Sequence, residues 1–216
     1  MKKILLLLFV CVLLTSCQTS IQPAIVSNDS ANAEANEPVL SSAAETGLTL
    51  NQAIKIALDA ALKWNKEARL YNGTSVDIDK EQTGMDGRRK HWNIEFGIPG
   101  KTDFYLVSIR DGEVWKTLHL PNELDAMPDN FFITDIQEFE HDTPELLEKA
   151  QQITKLYPGD VFAKGFNFGF SKDPEKNIPI AMVIGWDKSI KNMVYLTFNA
   201  KTGEFLEKIE REQYKN

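Results

Sequence analysis

Residues 49–64 read TLNQAIKIALDAALKW, and this stretch predicts the helix around which the rest of the fold is arranged. Thr49 and Gln52 stand three residues apart, which is the spacing of an N-terminal capping box. Large apolar residues and alanines then recur every three or four positions, so one face of the helix is apolar and needs cover. We therefore expect an amphipathic helix that ends near Lys66 and buries Ile54 and Leu58 against a sheet.

Strand patterns follow this helix. Apolar and polar residues alternate over residues 76–79 and 92–96, and a more continuous apolar run occupies residues 104–109. A last strand opens at Val114, after the turn residues Asp111 and Gly112. The first part of the chain is therefore predicted to be a helix followed by an antiparallel meander.

The same order returns further along the chain. Residues 142–144 (DTP) predict a helix start, because proline suits the first helical turn. The apolar face of this helix consists of Leu146, Leu147, Ala150 and Ile153. Residues 166–170 (FNFGF) then alternate as a strand with one aromatic face, which favours a core position over a cofactor pocket. Further strands are expected at residues 178–186, 193–198 and 204–209.

A helix followed by a meander, repeated once, predicts an α+β protein. Each predicted unit has one helix that covers one face of an antiparallel sheet. The two tandem units are expected at residues 47–120 and 142–216, with an acidic connection at residues 121–141. Gly112-Glu113 and Gly203-Glu204 close the last hairpin of each unit in the same way.

Two stretches resemble a known family. Residues 50–57 (LNQAIKIA) resemble the opening helix of PepSY domains, and residues 199–206 (NAKTGEFL) resemble their closing hairpin, where Asn199 replaces a usual Asp. The resemblance covers most of residues 47–210 and implies two cystatin-like units. It also implies a protein that binds or restrains a peptidase or another envelope protein. PepSY domains share no catalytic residues, so the resemblance implies no enzyme activity.

The beginning of the chain resembles the signal of bacterial lipoproteins. Lys2 and Lys3 precede an apolar run over residues 4–14, which is shorter than a transmembrane helix requires. Leu14-Thr15-Ser16-Cys17 then matches a lipobox. The resemblance implies that residues 1–16 are cleaved and that Cys17 carries acyl chains such as palmitate. The alternative is an ordinary secretory peptide with a chance cysteine.

Residues 17–46 are predicted to connect this lipidated cysteine to the folded part. They are rich in Ser, Ala, Asn and Glu, which is typical of a flexible tether with a random-coil reach of roughly 30 Å. Gln18 is not Asp, and in a Gram-negative cell this residue implies sorting to the outer membrane, facing the periplasm. The sequence leaves open whether the source is Gram-negative.

Composition narrows the range of functions. The 216 residues carry a net charge of −7, which becomes about −9 once Lys2 and Lys3 are removed. This net negative charge argues against a protein that binds nucleic acid and against a basic patch that binds anionic lipid. Cys11 and Cys17 are the only cysteines, so the mature domain has no disulfide and no free thiol nucleophile.

The motifs that could indicate cofactor or metal chemistry are incomplete. Gly100-Lys101-Thr102 resembles the end of a phosphate-binding loop, but Glu95 stands where the first glycine belongs. Asp77, Asp79 and Glu81 alternate like a calcium loop that lacks its central glycine, which favours acids on the wet face of a strand. The histidines His91, His119 and His141 do not pair at helical spacing, and His91 is expected to face water. We therefore expect no cofactor and no metal.

Residues 120–148 contain many acidic residues and neither lysine nor arginine. An acidic surface with an aromatic centre could bind a basic partner. The predicted contact residues are Asp129, Phe131, Phe132, Asp135 and Glu138. The alternative is a solvated connection whose aromatic side chains fasten it to the sheets.

These patterns predict a class of function without naming a partner. We expect a membrane-anchored envelope lipoprotein that binds or regulates another envelope protein, with a peptidase as one candidate, and that is not an enzyme. A structural or assembly lipoprotein is the first alternative. An unrecognised hydrolase is the second.

Overall fold

The computed structural model describes residues 47–122 and 125–213, so the predicted signal peptide, Cys17 and the tether lie outside the described residues. Within these ranges the protein is α+β, with two α-helices and one antiparallel sheet of eight strands. The predicted fold class is therefore confirmed at this level.

Each half of the described part of the chain contains one α-helix and four strands. The first half contains α1 (Leu50–Trp64), β1 (Arg69–Ser75), β2 (Trp92–Gly97), β3 (Asp103–Arg110) and β4 (Glu113–Pro121). Two short 3-10 helices, Asp129–Phe131 and Ile136–Glu138, follow. The second half contains α2 (Thr143–Ile153), β5 (Asn167–Asp173), β6 (Ile178–Trp186), β7 (Asn192–Asn199) and β8 (Phe205–Glu212).

Helix α1 starts as its sequence predicts. The Thr49 side chain accepts a hydrogen bond from the amide of Gln52, and the Gln52 side chain accepts one from the amide of Thr49. The helix ends at Trp64, two residues before the expected end, because the backbone of Asn65 is extended. Ile54 is buried as expected, whereas Leu58 is only half-buried at the edge of the core.

Helix α2 begins beside the start of α1. The Asp142 side chain accepts a hydrogen bond from the amide of Thr143, and Pro144 stands in the first turn. The Thr143 hydroxyl accepts from the amide of Leu50 (3.2 Å) and donates to the carbonyl of Gly87 (2.6 Å). This buried threonine therefore joins the N-termini of both helices. Leu147 and the other apolar residues predicted for this face are buried, except Ile153.

The strand order is β4-β3-β2-β1-β5-β6-β7-β8, so the two predicted meanders meet at β1 and β5. That central ladder contains two residue pairs, Gly73 with Phe170 and Thr74 with Gly169. The absence of a side chain at Gly73 is required here, since a Cβ atom would lie 2.4 Å from the Phe170 ring. The sequence predicts one sheet in each unit, and the structure joins both meanders in one sheet over one main core.

The acidic connection enters the sheet at this junction. The amide of Ile133 donates to the carbonyl of Leu70 (2.8 Å), beside the short β1–β5 ladder. The Nζ atom of Lys172 donates to the carbonyl of Phe132 (2.7 Å). The connection therefore fills the opening between β1 and β5 at one end of the junction.

The strand expected around residues 76–79 is not present. Strand β1 ends at Ser75, and residues 76–91 leave the sheet as a long excursion. Asp77 accepts from the amide of Lys164 (2.9 Å), so its carboxylate fastens the excursion and does not lie on a wet strand face. The expectation that His91 faces water is wrong as well, because His91 is buried and contacts Asp79 (3.1 Å).

Candidate partner-binding surfaces

Strand β4 forms one edge of the sheet, and among residues 47–122 and 125–213 no strand lies beside its outer backbone groups. Every residue of β4 except Leu120 is exposed. Val114, Trp115 and Leu118 are 40%, 55% and 41% exposed, which is unusual for large apolar side chains on a free edge. The edge therefore offers both unpaired backbone groups and apolar side chains to a partner strand.

Strand β8 forms the opposite edge and differs in its side chains. It carries Glu207, Lys208, Glu210, Arg211 and Glu212, and Lys208 forms an ion pair with Glu210 (2.7 Å). Charged side chains on an edge discourage pairing with another strand. Of the two edges, β4 is therefore the better suited to strand addition.

Trp115 is held in place by its neighbour across the turn. The guanidinium of Arg110 lies 3.4 Å from the centre of the Trp115 ring, in a cation–π contact. The ladder between β3 and β4 is irregular beside this tryptophan, between Ser108 and Ile109. The exposed ring is thus positioned by a charged contact at the start of the edge strand.

The hydrogen-bond alternation of this ladder shows which β4 amides point outward. The amide of Asn122 donates to the carbonyl of Thr102 (3.1 Å), and Pro121 stands opposite Asp103. Hydrogen-bonded and non-bonded pairs alternate along an antiparallel ladder. The amide of Thr117 therefore points away from β3, toward the side where a partner strand would lie.

The predicted contact residues of the acidic connection divide into two groups. Asp129 and Asp135 are exposed, and Phe131 and Glu138 are half-buried. Phe132 is fully buried, with its ring centre 6.2 Å from that of Phe104. Its ring is not available to a partner, which agrees with the alternative that aromatic side chains fasten this segment to the sheet.

Each of the three histidines contacts one carboxylate. His119 lies 3.0 Å from Asp103 and His141 lies 2.7 Å from Glu145, in addition to the buried contact of His91. Over residues 47–122 and 125–213, no three His, Cys, Asp or Glu side chains come together as metal ligands. Gly100, from the incomplete phosphate-loop motif, has φ +70° and lies in the turn between β2 and β3.

Arg89 is a buried charged residue that sequence reasoning did not single out. One guanidinium nitrogen donates to the carbonyls of Thr83, Lys164 and Phe166, and another donates to that of Val76 (3.0 Å). Burial lowers the pKa of Arg89, while the nearby Asp77 and Asp79 raise it. Two of these carbonyls belong to the excursion over residues 76–91, and the other two belong to the segment between α2 and β5. This arginine therefore connects them.

Glu95 is another partly buried charge. It lies on β2 opposite Leu106 and accepts a hydrogen bond from the side-chain amide of Asn72 (3.0 Å). Burial raises the pKa of the Glu95 carboxyl, and the Asn72 hydrogen bond lowers it. Burial and the Glu95 charge also raise the pKa of Tyr71. Glu95 and Tyr71 by themselves do not identify a reaction.

Comparisons with known proteins give one structural likeness. No family model matches the chain, and no curated protein matches it. The fold is similar to that of a putative lipoprotein from Clostridium difficile 630, with 12% sequence identity and a TM-score of 0.47. The match covers 72% of this chain and 90% of that chain. In the described ranges, no helix is long and apolar enough to cross a bilayer.

Proposed function

We propose that this protein is an envelope lipoprotein that binds another envelope protein and catalyses no reaction. Acyl chains on Cys17 would hold it at the membrane. The observation that carries the binding role is the free edge of β4, with its exposed Val114, Trp115 and Leu118. The PepSY-like stretches at residues 50–57 and 199–206 support the same class of function.

Strand addition is the proposed mode of binding. A partner segment in extended conformation would form backbone hydrogen bonds with the outward amides and carbonyls of β4. The apolar side chains of this strand would then contact alternate side chains of the partner. A peptidase loop is one candidate partner, because loops of this kind can adopt an extended conformation.

The binding route can be tested with a pair of proline variants. Thr117→Pro removes an outward amide of β4 without removing a bond to β3. Glu210→Pro is the matched control on β8, where the bond from the amide of Gln213 to the carbonyl of Lys191 implies that the Glu210 amide also points outward. Each tagged chain is captured from its own envelope after mild crosslinking. The partner should be lost with Thr117→Pro and kept with Glu210→Pro.

The acidic connection is a second route, supported by the exposure of Asp129 and Asp135. Replacing Asp129, Asp135 and Glu138 with Asn or Gln should then weaken capture. Binding should also weaken with salt, since exposed charges are screened over about 8 Å at physiological ionic strength. Capture that resists salt and survives these changes would exclude this route and leave β4.

Anchoring is tested separately from binding. Cys17→Ser should abolish incorporation of a radioactive fatty acid and prevent cleavage after Ser16. The Cys11→Ser variant is the matched control, because Cys11 lies within the segment that is expected to be removed. Labelling that persists in Cys17→Ser would contradict the lipoprotein proposal.

Two other functions remain as alternatives. A structural or assembly lipoprotein would co-purify stably with envelope proteins that lack peptidase activity. A hydrolase would show turnover as a purified protein, with or without divalent metal. Measured metal-dependent turnover would overturn the non-enzymatic proposal.

A further inference from the structure

One loop of the second half displays two large apolar side chains at its tip. Residues 159–165, here the apolar loop, include Val161 and Phe162, which are 81% and 58% exposed. These are the most exposed of the large hydrophobic side chains in the described ranges. Single exposed apolar residues are common, but two adjacent ones on a fixed loop are consistent with a contact surface.

The backbone of the apolar loop is closed at its base. The amides and carbonyls of Gly159 and Gly165 bond to each other in both directions, at 2.9 and 3.0 Å. The Asp160 carboxylate accepts from the amide of Val161 (2.7 Å), and Ala163 adopts a left-handed φ of +47°. Left-handed backbone is costly for alanine and persists only where its surroundings enforce it. The exposed tip is therefore part of a defined conformation.

The loop is also fastened to the rest of the molecule. The Gln82 side chain donates to the carbonyl of Gly159 (2.9 Å), and Arg89 donates to the carbonyl of Lys164 (2.9 Å). The amide of Lys164 donates to Asp77 (2.9 Å). Because these bonds fix the base, Val161 cannot become buried by a simple inward rotation of the loop.

The first described residues, which follow the predicted tether, lie close to the base of the apolar loop. Leu48, one of the first described residues, pairs with Arg89 through two backbone hydrogen bonds of 2.9 Å. The side chain of that arginine binds the apolar loop. Residues 18–46 can span about 100 Å at full extension, so a chain held at Cys17 can bring this end of the sheet to the bilayer.

We propose that the apolar loop is a second membrane contact, in which Val161 and Phe162 enter the interfacial region of the lipid bilayer. This inference rests on the proposed anchoring by Cys17. The charged groups at this loop are mixed, because Asp160 within it and Asp77 at its base are acidic and Lys164 is basic. Contact with lipid is therefore apolar rather than electrostatic, and it does not require anionic lipid.

Photo-crosslinking from the tip tests this proposal. p-Benzoylphenylalanine replaces Phe162 in the full chain, which is placed in phosphatidylcholine vesicles. The matched control carries the same residue in place of Phe205, which is 39% exposed. Phe205 pairs with Phe198 at one end of β7, whereas Trp186, which contacts Phe162, pairs with Met193 at the other end.

The expected result is several-fold more phosphatidylcholine adduct from position 162 than from position 205. The yield should not change with salt or with added phosphatidylglycerol, and Val161→Asp should reduce it. Equal yields at both positions would overturn the proposal. The proposal would also be overturned if position 162 crosslinked to protein and not to lipid in whole cells.

Acylation of Cys17 is read independently from the mass of the purified chain. If that mass shows a free thiol, the anchoring proposal fails, and the chain is attached to the vesicles through Cys17 and a maleimide lipid. The comparison of positions 162 and 205 then decides the membrane contact by itself.

Discussion

Arg89 shows how much of this fold depends on a single side chain. It is fully buried and donates to carbonyls of two excursions that are distant in sequence. Arginine suits this position because its guanidinium presents several donors in a fixed plane. An arginine in a loop normally lies at the surface, so the sequence does not predict that Arg89 is buried and joins two distant segments. The partners of a buried charge depend on how distant loops come together.

Replacing this arginine should destabilise the protein strongly. Arg89→Met leaves four carbonyls without their donor and removes the ion pair with Asp77 (3.8 Å), and we expect a loss of about 3–5 kcal/mol in the free energy of unfolding. Arg88→Met is the matched control, because Arg88 is partly exposed and its ion pair with Asp86 is long, at 3.8 Å. That change should cost about 1 kcal/mol or less. Urea denaturation measures both, and equal losses would contradict the role assigned to Arg89.

Glu95 leads to a prediction about pH. Its pKa in the folded state is raised by burial, so the folded chain holds the proton more tightly than the unfolded chain. Stability from this group is present below the ordinary glutamate pKa of about 4.3 and is lost as the pH rises through the folded-state pKa. The Glu95→Gln variant can still accept the hydrogen bond from Asn72. It has no carboxyl group that ionises, so it does not lose stability as the pH rises.

The free energy of unfolding of Glu95→Gln should therefore exceed that of the wild type near neutral pH. The difference should shrink as the pH falls below about 4.3. Denaturant titrations at several pH values measure it. A variant that is less stable at neutral pH would show that the ionised carboxylate contributes favourably to the fold.

At the scale of elements, local patterns predict regular structure well and irregular structure poorly. The capping box of α1, the start of α2 and the burial of alternate residues in β2 agree with the structure, because each depends on neighbours in sequence. Only residues 76–79 of the excursion over residues 76–91 are predicted as a strand, and no strand forms there. Its alternating residues mimic a strand pattern, while the bonds that hold it come from Lys164 and Arg89.

The apolar face of α1 can be tested by removing one side chain. Ile54 is 1% exposed, and Ile54→Ala should cost about 2–5 kcal/mol in the free energy of unfolding. Lys55→Ala is the control on the exposed face and should change it by no more than about 0.5 kcal/mol. If the two variants unfold at the same denaturant concentration, the helix does not bury the face described here.

At the scale of the whole molecule, the sequence predicts the two meanders but not their junction. The β1–β5 ladder consists of two residue pairs, and its main requirement is a glycine at position 73 beneath Phe170. No local periodicity reports such a distant pairing. The candidate site was likewise predicted in part: the acidic connection was identified from composition, and Phe132 proved to be buried. The free edge of β4 became evident only once the strand order was known.

The proposal that β4 recognises a partner strand is tested most directly by hydrogen–deuterium exchange on the protein isolated with its partner. Exchange is compared between the chain alone and the complex obtained by mild extraction of the envelope. Partner binding should slow exchange in β4, including the outward amide of Thr117, and leave β8 unchanged. If β4 exchanges at the same rate in both samples while the acidic connection or β8 becomes protected, the account of this edge as the recognition strand is contradicted.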